Sequence, residues 1–115
     1  MFFRKKLNRK GINRIARAIA LGAVVYGRHV STDTEFANWR VEFEMWRDDI
    51  WGFVRETLGQ EVVDLYQTIG MVEIPGNWEI PGLDWRPWHD GHRRLLSIIA
   101  TYIDRLRYIV EKYSA

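Results

Sequence analysis

A chain of 115 residues can close one hydrophobic core but not two, and 47% hydrophobic with 28% charged side chains is the balance of a folded, soluble domain rather than a disordered one. The absence of cysteine excludes disulfides, thiolate zinc sites and thiol nucleophiles together, and fits a reducing, cytoplasmic setting. The net charge of +2 conceals a segregation, because residues 1–28 hold eight basic side chains and no acidic one, which leaves nine basic against 15 acidic groups in the remainder.

Residues 1–11 form a basic N-terminal arm, and residues 12–115 are expected to form a single helical domain. Arg4, Lys5, Lys6, Arg9 and Lys10 in the arm, with Arg14 and Arg17 just beyond it, form a cationic set that suits phosphates or acidic protein surfaces. Met1, Phe2, Phe3 and Leu7 lie among these charges, so the same segment also suits an anionic membrane surface. The basic stretch followed by the apolar run Ala18 to Tyr26 has the outline of a secretory signal, but Arg28 and His29 end the run at about half the length that a spanning helix needs.

From Ile12 onward Ile15, Ile19, Gly22 and Tyr26 recur at steps of three and four, predicting an amphipathic first helix; Ala16, Ala20 and Ala23 add a strip of small residues that would let a neighbour approach closely. Ser31, Thr32 and Asp33 offer N-cap oxygens for a second helix, and Glu35 completes a capping box with Thr32. Phe36, Trp39, Phe43, Trp46, Ile50 and Phe53 then form an aromatic stripe that should be core, with Gly59 expected as a left-handed C-cap. Gln60 to Ile69 predicts a short third helix with Val62, Leu65, Tyr66 and Ile69 inward.

Residues 73–78 and 79–85 nearly repeat, as Glu-Ile-Pro-Gly-Asn-Trp and Glu-Ile-Pro-Gly-Leu-Asp-Trp. Each Ile-Pro-Gly suits a type II turn, so this segment is an irregular connection. Its indoles, with that of Trp88, have two homes. Trp78, Trp85 and Trp88 either cover the open side of the core as a lid, which avoids a large exposed apolar patch, or form a surface platform for a ligand. A last helix is expected from about Asp90 to Tyr113, its stripe of Leu96, Ile99, Ile103, Leu106, Val110 and Tyr113 broad enough to lie centrally against the first two helices. The resulting fold class is all-α: a single-domain bundle of four helices with the Pro-Gly and Trp loop before the last.

The run "WRVEFEMWRDDIWGFVRETLGQEVVDLYQTIGMVE", followed after a loop by "HRRLLSIIATYIDRLRYIVEKY", resembles a small tryptophan-rich helical domain that recurs in uncharacterised bacterial and phage-borne proteins, and "ARAIALG" extends the likeness to the first helix. The resemblance implies a fold and transfers no catalytic residues. Arg86 and His92 are also similar in spacing to the arginine and histidine of the small helical ribonucleases called HEPN domains, which implies a histidine acting on a 2′-hydroxyl and an arginine holding phosphate; Pro87 and Gly91 interrupt that segment here.

Other chemistry finds little footing. His89 and His92, with Asp84 or Asp90, make too small a ligand set for a metal site, and no cofactor is expected. Ser31, Ser97 and Ser114 lack a nucleophile context, and no phosphate-binding glycine loop follows a strand. The leading expectation is therefore a non-enzymatic interaction module whose basic N-terminus meets nucleic acid or an acidic protein, with peripheral membrane attachment, a HEPN-like ribonuclease and a phage-type protein inhibitor as alternatives. The wide face of the last helix leaves room for a homodimer.

Overall fold

The computed structural model describes residues 6–69 and 87–114. They form four helices, α1 (Arg9–Tyr26), α2 (Asp33–Leu58), α3 (Gln60–Tyr66) and α4 (Pro87–Tyr113), and no strand.

Helix α1 starts three residues before Ile12 because Asn8 caps it: the Asn8 side chain accepts from the Gly11 N–H at 2.8 Å, satisfying one of the orphan donors of the first turn. Three residues of the expected arm are thus helical. Leu7 is fully buried, and its N–H donates to the Tyr113 carbonyl at 2.6 Å, so the chain is anchored before the helix begins. At α2 half of the expected capping box is present: Thr32 Oγ1 accepts from the Glu35 N–H at 3.1 Å, while the Glu35 carboxylate accepts from the hydroxyls of Ser31 and Thr32 in place of the Thr32 N–H. These bonds to its charged form, that from Ser31 foremost, hold Glu35 below its ordinary pKa. Gly59 has the expected positive φ of 98°, but its ψ of 164° is extended rather than left-handed helical, and the chain turns directly into α3. Helix α4 begins at Pro87, where a missing N–H costs no helical bond.

Two indoles give the packing its direction. Trp39 Nε1 donates to the Val25 carbonyl and Trp46 Nε1 to the Ala18 carbonyl, each at 2.8 Å, so a step up α2 is a step down α1 and the pair is antiparallel. The Leu7 to Tyr113 bond sets the start of α1 beside the end of α4, so that pair is antiparallel as well. Helices α2 and α4 therefore run parallel, with their N-termini at one end of the molecule.

Helix α1 packs closely on both α2 and α4, while α2 and α4 meet mainly through long side chains such as Trp51 and Tyr102, whose rings lie edge to face at 5.1 Å. The central place expected for broad α4 thus belongs equally to α1, the helix with small residues on its buried face. Those residues are Gly11, Ala18 and Gly22, buried with Ile15 and Val25; the strip of Ala16, Ala20 and Ala23 faces outward instead. Gly22 sits under Trp46, where a Cβ would come within 2.6 Å of the indole. Along α2 the buried set shifts from the predicted stripe toward Trp51 and Val54, because α3 folds back onto that side and buries Val62 and Val63; Leu65, expected inward, is exposed. Arg105 Nη1 donates to the carbonyls of Tyr66 and Thr68, closing the open end of α3.

Candidate anionic-partner interface on the first helix

The predicted cationic set divides by contact. Arg4 and Lys5 lie outside the described residues. Arg14 is tied to the body, donating to the Asp49 carboxylate of α2 with its guanidinium 5.4 Å above the Phe53 ring. Arg28, beyond the end of α1, pairs with Glu42 in the same way. Lys6, Arg9, Lys10 and Arg17 are exposed, and among the described residues they make no hydrogen bond or ion pair. Arg9, Lys10 and Arg17 line a shallow open depression with Asn13 and Ala16.

This sorting follows from helix geometry. Arg14 falls on the flank of α1 that borders α2, within reach of Asp49; Arg17, one turn on, lines the same depression without pairing, while Arg9 and Lys10 line an open depression formed by α1 alone with Asn13, Ala16 and Arg17. Acids of α2 are already paired: Asp49 with Arg14 and Glu42 with Arg28, while Asp48 pairs with Arg47 and Glu44 with Arg40 along α2 itself. Among the described residues Lys6, Arg9, Lys10 and Arg17 thus form no ion pair, and their fields add.

The tryptophan platform is described in part. Trp78 and Trp85 lie outside the described residues, as do Asp84 and Arg86. Trp88 is half-buried, stacks on Phe36 at 5.9 Å and meets His89 edge to face at 4.2 Å, which makes it part of an aromatic cluster where α2 and α4 begin. His92 belongs to the same cluster, 4.7 Å from the Trp39 ring centre, and its Nε2 is buried with no hydrogen-bond partner among the described residues. Among the described residues no three His, Cys, Asp or Glu side chains gather as a metal site, and no helix is long and apolar enough to cross a membrane.

Burial pushes the His92 pKa below its ordinary 6.5, with the charges of His89 and Arg93 acting in the same direction. Between that depressed value and 6.5 the unfolded chain binds more protons than the folded one, so stability rises with pH across this window. The contribution is complete above pH 6.5 and is lost as pH falls through the folded value. Urea midpoints should therefore drop from about pH 7 to about pH 5, and His92→Leu, which keeps an apolar body between the rings, should flatten that drop. A variant whose midpoint falls as steeply as the wild type's would assign the acid sensitivity to other groups.

Comparison with protein-family models, curated proteins and solved structures finds no match for the chain. The signals that sequence reasoning passed over were Asn8, a cap residue read as part of the arm, and Leu7, an apolar side chain read as one more member of a charged segment. Arg14 gave no local sign of its partner, which lies 35 residues away.

Proposed function

We propose that this protein is a non-enzymatic helical interaction module that engages an anionic partner through the outward basic face at the start of α1. One observation carries the reading: Lys6, Arg9, Lys10 and Arg17 are exposed and form no ion pair among the described residues, while Asp49 and Glu42 of α2 are held by Arg14 and Arg28. Among the described residues the face's remaining cations form no ion pair, and their Coulombic attraction is left for another molecule. The aromatic cluster around His92 serves packing rather than chemistry, and the likeness to tryptophan-rich domains, being a pattern of core positions, is compatible with a module of this kind.

Fluorescence anisotropy with a labelled single-stranded oligonucleotide, used as a generic polyphosphate, tests the electrostatics. Affinity should fall linearly on a log–log plot against salt, with a slope of roughly −0.7 for each phosphate neutralised. Replacing Lys6, Arg9, Lys10 and Arg17 by serine should reduce that slope by about 3 and leave the circular dichroism spectrum intact. Salt-independent binding, or a quadruple variant that binds as the wild type does, would overturn the reading.

A further inference from the structure

The face that carries the unpaired cations does not remain basic along its length. Arg9, Asn13, Ala16, Ala20 and Val24 follow one another at steps of three and four in one outward row, and Lys10, Arg14, Arg17 and Leu21 form a second row beside it, on the flank toward α2. From Ala18 to Tyr26 there is no charged side chain, so this half of α1 is apolar all round. Its inner side is buried through Ala18, Gly22 and Val25, but Leu21 is 49% and Val24 53% exposed. The antiparallel register fixed by the Trp39 to Val25 and Trp46 to Ala18 bonds sets Val41 and Met45 of α2, 55% and 69% exposed, at the level of Leu21 and Val24. Aliphatic side chains thus emerge from two helices next to a cluster of cations.

We infer that the anionic partner is a phospholipid bilayer, met by α1 lying flat in the headgroup plane. Lys6, Arg9, Lys10 and Arg17 contact lipid phosphates while Leu21 and Val24, with Met45 beside them, enter the boundary with the acyl chains. This inference rests on the basic-face reading above and specifies its partner. The chemistry separates lipid from nucleic acid: a phosphodiester backbone rewards the cations but offers nothing to an exposed leucine and valine, whereas an anionic membrane interface rewards both, and stable attachment needs two such signals together. Leu7, an apolar member of the N-terminal segment, takes no part because it is buried under the end of α4. At 18 residues α1 is about 27 Å long, enough to spread these contacts along the surface.

Sedimentation of the full chain with phosphatidylcholine vesicles, with and without phosphatidylglycerol, is the test. The protein should partition onto the anionic vesicles alone, and each basic residue removed should weaken partitioning about fivefold. Leu21→Asp with Val24→Asp should abolish vesicle binding and leave oligonucleotide affinity within about twofold of a control carrying two aspartates on the exposed face of α3. Because the chain has no cysteine, Leu21→Cys bearing a polarity-sensitive fluorophore reports insertion in the otherwise unaltered protein: its emission should shift to the blue on anionic vesicles, and the same label at Glu56 should not shift. Salt-sensitive oligonucleotide binding without vesicle binding would overturn the lipid inference and leave the basic-face reading standing. Binding to neither would sink both. Vesicle binding without a shift at position 21, or a stable dimer in which that label is already shielded before vesicles are added, would assign the apolar rows to another role.

Discussion

Gly22→Ala should destabilise the fold by roughly 1–3 kcal/mol, and Gly22→Val by more, while the same change at the other mid-helix glycine, Gly52→Ala, should stabilise it by about 0.5–1 kcal/mol. Both glycines lie inside long helices, where alanine is intrinsically the better residue, so propensity alone predicts a gain at each. Contact decides the sign. A Cβ at Gly22 would lie 2.6 Å from Trp46 Cζ2 and 3.0 Å from Cε2, and the indole cannot yield readily because it is buried and its N–H is bonded to the Ala18 carbonyl. Either α1 withdraws from α2 or the ring leaves its rotamer, and both disturb the closest packing in the core. At Gly52 no atom lies within 4 Å of the added carbon. Chemical denaturation of the two variants checks the contrast, and a stabilised Gly22→Ala would mean that α1 and α2 do not pack through this notch.

Leu7→Ala should cost about 2–5 kcal/mol, a loss expected of a core residue and not of a flexible terminus. The side chain is fully buried, and the space around it is tight enough that a Cβ on Gly11 would come within 3.2 Å of Leu7 Cδ2. Its backbone also ties the chain's beginning to its end through the bond to Tyr113 and the bridge to Ser114. Truncation would therefore leave a cavity between the start of α1 and the end of α4 and loosen the alignment of the basic face above it. Were residue 7 part of a free arm, the same change would fall within about 0.5 kcal/mol of neutral, and thermal or urea unfolding separates these outcomes.

Local signals in the sequence carried most of the secondary structure. Thr32 and Glu35 announced the start of α2, Gly59 its end, and the three-four spacing of Trp39, Phe43, Trp46 and Ile50 identified a buried seam. The basic surplus of the first 28 residues was equally plain, because charge is counted without knowing the fold. Errors gathered where an apolar arc had to be assigned a neighbour. The periodicity of α1 is satisfied by alanines facing in or out, and only the bulk of Trp46 and Trp39 on α2 selects Gly22 and Ala18 for the contact and turns Ala16, Ala20 and Ala23 to solvent.

The amino-acid sequence by itself determined that the chain is helical, where its helices are capped, and that its cations concentrate at one end; these follow from interactions among residues within a few positions of one another. The tertiary structure decided which cations are spent and which are free. Arg14 and Arg17 stand three residues apart in near-identical surroundings along the chain, yet one reaches Asp49 and the other meets solvent. Both lie on the flank of α1 that borders α2, where they line one depression with Asp49, and the single carboxylate that the antiparallel docking of α2 supplies there is taken by Arg14. Long-range pairing of this kind depends on how the helices align, a global minimum of packing that no local pattern encodes.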